Sequence, residues 1–157
     1  MENSNSGSKR IYMAIIAVLL LINGIAGYLL FNENKEKFKE LMQSNLFYPV
    51  KTEIIYQIKE IPLENKKEIL ELALQTNDIK VRQAVAEFTD EIPAEFKPNY
   101  ETLLDDRSYD TKEIALIKLF NAFPESQAIY IEKAKDWFGN NDLGLRTTFL
   151  LLTQMSN

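Results

Sequence analysis

The chain of 157 residues is 46% apolar with 5 Gly and 5 Pro, a composition that suits one packed, helix-rich domain. It contains no Cys and no His. Disulfides, thiolate nucleophiles, imidazole bases, catalytic triads and thiolate or imidazole metal ligands are thereby excluded. A formal net charge of −5, with most of the carboxylates after residue 32, makes a phosphate backbone a poor match and disfavours nucleic acid as a partner.

Residues 1–10, MENSNSGSKR, are polar and aperiodic and read as a disordered tail. Residues 11–31, IYMAIIAVLLLINGIAGYLLF, carry no charge and one strongly polar residue, Asn23. As a helix they would span about 30 Å, the thickness of a bilayer's hydrocarbon core, and they predict a single transmembrane signal-anchor. Tyr12, Tyr28 and Phe31 lie near its ends, where interface aromatics are found. A cleaved leader is the competing reading, with Lys9-Arg10 as its basic region and Gly24-Ile25-Ala26 as the small-residue site. The apolar run resumes as Tyr-Leu-Leu-Phe beyond that site, which favours the retained anchor. Lys9-Arg10 abutting the apolar run favours the N-terminus inside. Asn23 with Gly24 and Gly27 also permits a helix dimer, although a monomeric anchor with one tolerated amide is favoured. Residues 32–46 read as a juxtamembrane helix or linker, in which Glu33, Glu36 and Glu40 offset the attraction of Lys35, Lys37 and Lys39 for anionic headgroups.

From residue 47 to 157 the chain repeats. Pro62, Pro93 and Pro124 recur every 31 residues, each after an apolar residue: Ile61, Ile92 and Phe123. Eight positions before each proline stand Ile54, Val85 and Leu116, and ten after it stand Leu72, Leu103 and Ala134. A period of this size, with a helix on each side of a punctuating proline, predicts an all-α solenoid of antiparallel helix pairs. Leu63, Ile69, Leu70, Ala73 and Leu74 mark the helix after Pro62. In TNDIKVRQAVAEFTDEIP, residues 76–93, the apolar stripe Val81, Ala84, Val85, Phe88 and Ile92 predicts one amphipathic helix, capped by Asn77 or Asp78. Asp110-Thr-Lys-Glu113 has the spacing of a capping box and opens a helix to Phe123 that is apolar nearly all round, as befits a helix with neighbours on both sides. The next carries Ile131, Ala134 and Phe138 on one face and ends at Gly139. Asn141-Asp142 and Leu145-Arg146 then repeat Asn77-Asp78 and Val81-Arg82.

Asp-x-x-Val-Arg at the start of a second helix resembles the HEAT pattern. The stretch LLDDRSYDTKEIALIKLFNAFPESQAIYIEKAKDWFGNNDLGLR further resembles the C-terminal helical-repeat region of M1-family zinc aminopeptidases, over roughly residues 47–157. The resemblance implies a HEAT-like body and, in that family, a preceding zinc domain built on His-Glu-x-x-His. No His is present to build one, so no catalytic, cofactor or metal residue carries over.

Asp105-Asp106 with Asp110 lacks the ligand order and bend Gly of a calcium loop and reads as a solvated turn. Arg82 and Arg146 read as partners of the Asp at their own helix starts rather than as carboxylate-ligand sites, and Trp137-Phe138 as core rather than a ligand platform. In the last helix Leu145, Phe149 and Leu152 match inward positions, leaving Leu150, Leu151 and Met155 on adjoining faces. Those three are the candidate contacts for a protein partner or a second copy, unless Leu150 or Leu151 turns inward to close the stack. The resulting expectation is a non-catalytic, cofactor-free helical-repeat protein that binds another protein at a membrane. It would be single-pass in a bacterial inner membrane, with the body on the periplasmic side. The alternative is a truncated or accessory aminopeptidase fragment needing a separate catalytic polypeptide.

Overall fold

A computed structural model describes residues 27–45, 47–137 and 143–156, and all the regular structure among them is helical, without strands. The predicted tail, Asn23, Gly24 and residues 11–26 of the expected anchor lie outside the described residues. The first described helix, α1, covers 27–43. Beyond Phe31 it carries Glu33, Lys35, Glu36, Lys37, Lys39 and Glu40, and a charged helix of this kind has no place in hydrocarbon. Among the described residues no helix is long and apolar enough to cross a membrane. That finding corrects the single-pass anchor and the membrane placement drawn from it. Nothing among the described residues lies within 4 Å of where a Cβ on Gly27 would sit.

The chain divides into two compact units between Lys37 and Phe38. The described part of the first, 27–37, is a stretch of α1 with Leu29 and Leu30 exposed. The second takes in the end of α1, so residues 38–45 group with the helices that follow. These are α2 (Tyr48–Gln57), α3 (Leu63–Leu74), α4 (Ile79–Phe88), α5 (Lys97–Glu101, continued by a 3-10 turn, Thr102–Asp105), α6 (Tyr109–Ala122), α7 (Gln127–Lys135, entered through a 3-10 turn, Pro124–Ser126) and α8 (Leu143–Met155).

The period in the sequence is a period in the core. Ile54, Val85 and Leu116 are all buried, as are Ile61, Ile92 and Phe123 before the three prolines. Ten positions past them, Leu103 and Ala134 are buried and Leu72 is half-buried. Each proline opens a turn, because its missing N–H costs nothing there. The Pro62 carbonyl accepts from the Asn65 amide at 3.0 Å and the Pro93 carbonyl from the Phe96 amide at 2.9 Å. At the third site the accepting carbonyl is that of Phe123, one residue earlier, from the Ser126 amide at 2.9 Å. Helix α4 packs on α2, α3 and α6, while α6 packs on α4, α5, α7 and α8. The expectation that α6 has neighbours on two sides therefore holds.

Three helix boundaries differ from those predicted, one of them the end of α7, which falls at Lys135 and not at Gly139. Helix α4 starts at the expected cap, where Asp78 Oδ1 accepts from the Lys80 amide at 2.9 Å. It stops at Phe88, short of Ile92. Thr89 is extended, at φ −95° and ψ 94°, and Pro93 disfavours a helical Ile92. Ile92 reaches the core from this extended segment. Helix α6 is capped by Ser108, whose Oγ accepts from the Thr111 amide at 3.3 Å. Asp110 falls in the first turn, where it complements the dipole, and Glu113 is engaged by Thr148. The Asp110–Glu113 capping box does not form.

No described residue has positive φ, so none of these helices ends in the left-handed cap that commonly closes C-terminal carbonyls. Side chains from later elements donate to them instead. Lys51 Nζ reaches Met42 O at 2.7 Å, Lys66 Nζ reaches Lys59 O, and Lys118 Nζ reaches Glu87 O at 2.6 Å and Thr89 O at 2.9 Å. Tyr100 Oη donates to Ala86 O at 2.8 Å and Gln127 Nε2 to Phe120 O at 3.0 Å. An ammonium at a helix C-terminus also meets the negative end of the dipole.

Candidate functional site

Helix α8 packs on α6 and α7. Leu145 and Leu152 are buried on that side, Phe149 is half-buried, and the Thr148 hydroxyl donates to Glu113 Oε1 at 2.5 Å. At 100° per residue Met155 and Gly144 flank that packed side, Leu151 and Thr147 lie further round, and Leu150 is nearly opposite. All five are exposed: Leu150 by 51%, Leu151 by 54% and Met155 by 68%. Neither leucine turns inward. The three residues singled out in the sequence are thus exposed on adjoining faces of one helix, Leu150 about 140° round from Met155. No carboxylate lies between Leu143 and Met155, and Arg146 is the one charged residue there.

A second constellation differs from its sequence reading. Arg82 does not pair with Asp78 at its own helix start. Its guanidinium grips Asp106, which precedes α6, through Nε to Oδ2 and through Nη2 to Oδ1 at 3.3 Å, and its Nη1 donates to Thr76 O at 2.6 Å. Asp106 Oδ1 also accepts from the Ser108 amide at 2.8 Å. Both side chains are largely buried, the carboxylate almost completely. Asp106 is therefore the anchor of a two-toothed ion pair joining the start of α4 to the entry of α6, not part of a solvated turn. Its neighbour Asp105 is exposed and meets Lys133 Nζ at 2.7 Å. Arg146 is exposed on α8; Asp142, its expected partner, lies outside the described residues.

Over the Arg82–Asp106 pair lies a cleft of about 250 Å³ that Thr76, Asn77 and Arg107 also line. A larger one of about 520 Å³ lies beside Gln43, Ser44, Asn77 and Asp78, with Lys51 at its wall. The amine of Lys51 is held by Met42 O, and the guanidinium of Arg82 by Asp106. Of the charged donors at these clefts, Lys51 and Arg82 are spent on the fold, while Arg107 is exposed at the smaller one. Among the described residues no group of His, Cys, Asp and Glu is placed to hold a metal ion.

Titration follows burial. Lys66 is pushed below its ordinary value by burial, against the pull of Glu60, Asp90 and Glu91. Lys118 is lowered by burial too, against Asp90. Burial raises the Tyr100 phenol, and Asp90 adds to it; Tyr130 is raised by burial and by its hydrogen bond to Glu101 Oε1 at 2.8 Å. All four groups close helix ends or join neighbouring helices. Trp137 is buried, with Lys112 Nζ 5.0 Å from its ring centre, in keeping with a core role; Phe138 lies outside the described residues.

The Arg82–Asp106 pair was missed because its partners stand 24 residues apart in the chain, with an equally plausible local partner in Asp78. The available signal was the length of Arg82 itself, set one turn inside a helix in a repeat whose next member begins with adjacent aspartates. In comparisons with known proteins, no family model, no curated protein and no solved structure matches this chain.

Proposed function

We propose that this chain is a non-catalytic, HEAT-like α-solenoid that binds another protein through the exposed face of α8. The order of helix contacts supports the solenoid. Helices α2, α4, α6 and α8 each pack on the next of the four, while α3 packs on α4 and both α5 and α7 pack on α6. Side-chain bonds bridge about one repeat at a time. Lys39 meets Glu68, Lys67 meets Glu95 O, Lys97 meets Ser126, Lys118 meets Thr89, Tyr130 meets Glu101 and Lys133 meets Asp105, at separations of 28 or 29 residues. A stack in which each unit bonds mainly to its neighbours is what a solenoid requires.

The observation that carries the binding role is the joint exposure of Leu150, Leu151 and Met155 on adjoining faces of α8. An exposed apolar surface of this kind on a helix marks a contact surface. Burying one such leucine is worth about 1.5–3 kcal/mol. A Leu151→Glu substitution is then expected to weaken partner capture by at least about tenfold while leaving the melting temperature unchanged. The measurement is affinity capture of the intact chain and its variant from solubilised cells, read by mass spectrometry, beside thermal melts of both. Unfolding of the variant would place Leu151 in the core and end the proposal.

A further inference from the structure

We infer that the Thr148 hydroxyl, held by Glu113 of α6, sets the rotation of α8 about its own axis and so decides which leucines that helix presents. Thr148 is then a positioning residue for the docking surface. The inference rests on the reading of α8 as that surface and adds what orients it.

Apolar packing alone leaves this rotation weakly determined. Leu145 and Leu152 are buried against α6 and α7 and lie about 20° apart around the helix. Leu151 and Met155 form a second apolar pair, about 40° apart and exposed. The two pairs are centred about 90° from each other, so a turn of that size would bury the second in place of the first. Two leucines would be exchanged for a leucine and a methionine, side chains of similar worth on burial. Phe149 favours the observed setting, but it is only half-buried there. Because hydrophobic burial has no direction, it separates the two settings poorly.

A hydrogen bond does have direction. Thr148 lies between the two pairs, at the edge of the packed side, and is itself buried. Its Oγ1 donates to Glu113 Oε1 at 2.5 Å, and a bond to a carboxylate is stronger than one between neutral groups. At the surface of a helix a turn of about 90° would carry the hydroxyl about 6 Å from its acceptor. The hydroxyl would then lose that partner at a part-buried position. Thr153 offers no such reference, since its Oγ1 donates to Phe149 O at 2.8 Å within the same helix, a bond that holds at any rotation. A single polar contact thus selects one arrangement from two apolar ones.

The chain contains no cysteine, so introduced cysteines report alone. In the full chain Leu151→Cys is expected to react with a maleimide at least about tenfold faster than Leu152→Cys, as their exposures require. Adding Thr148→Val, which keeps the shape and removes the hydroxyl, is expected to slow the first cysteine, quicken the second and lower their ratio at least about tenfold. Thr148→Ser keeps the hydroxyl and is expected to preserve the ratio. Glu113→Met removes the acceptor from the α6 side and should act as Thr148→Val does, which carries the test should that variant fail to fold. An unchanged ratio in the folded variants would overturn the inference. Quickening of both cysteines would overturn it too, because α8 would then have left the body instead of turning. The ratio is read without a partner. It can therefore fail while Leu151→Glu still abolishes partner capture, which would end the positioning role alone, whereas capture indifferent to Leu151→Glu would end the docking surface.

Discussion

At Asp106 a buried carboxylate is held by both teeth of one guanidinium and by a backbone amide. Removing one partner of such a pair strands the other in low dielectric, at a cost of about 3–5 kcal/mol. Asp106→Ala is expected to lower the free energy of unfolding by about 3 kcal/mol in urea titrations, whereas Asp105→Ala, which breaks only the exposed pair with Lys133, should cost under about 1 kcal/mol. Tyr100 adds a dependence on pH. Its folded phenol titrates above the ordinary value of 10.0 because it is buried, with Asp90 adding to the shift. The folded chain thus keeps a proton that the unfolded chain gives up. The associated stability is complete below pH 10.0 and drains away as pH rises toward the folded value. Urea midpoints taken at about pH 9 and about pH 11 should show a steeper alkaline loss for the unmodified chain than for Tyr100→Phe. Residue partners were the least legible part of the sequence. Asp78 was readable as a cap because its acceptor and donor are two residues apart. Arg82, Tyr100 and Lys118 find their partners through the fold, across separations that no local pattern encodes.

Elements were more legible, because a helix announces itself within its own span. The stripes of α3 and α4 and the all-round apolar α6 are where the periodicity puts them, and the face of α8 divides as Leu145 and Leu152 against Leu150, Leu151 and Met155 predict. Helix ends were misread where two local signals compete: Ser108 against Asp110 at the start of α6, and the apolar Ile92 against the extended Thr89 and Pro93 beyond α4. The C-terminal ends add a further surprise, being closed by side chains from other elements. Lys118 holds two carbonyls at the end of α4. Lys118→Met keeps the stem that packs there and removes the donor. It is expected to cost about 1 kcal/mol, since one of the two acceptors is only part-buried and the other exposed. Native-state hydrogen exchange should show the loosening first in the last turn of α4. Uniform exchange across α6 instead would mean that the lysine acts through packing and not as a cap.

On the scale of the whole molecule, the packing of α2 on α4, α4 on α6 and α6 on α8 is expected to limit how far a perturbation travels. Val85 in α4 and Leu116 in α6 lie on helices in direct contact, while Ile54 in α2 and Leu145 in α8 are linked through α4 and α6. Truncating the first pair to alanine should be non-additive, whereas the losses from the second pair should add within about 0.5 kcal/mol, as measured by urea denaturation of single and double variants. Equal coupling in both pairs would mean a single undivided core. The lysine that closes α4 has one more implication, for the order in which the molecule is made. A chain leaves the ribosome from its N-terminus. The carbonyls at Glu87 and Thr89 wait for Lys118, 31 and 29 residues later, just as the carbonyl of Lys59 waits for Lys66. The end of α4 is thus provisional during synthesis until α6 arrives to finish it. Stalled intermediates cut between α4 and α6 should carry a frayed α4, and its final turn should become protected from exchange only when the nascent chain extends past residue 118.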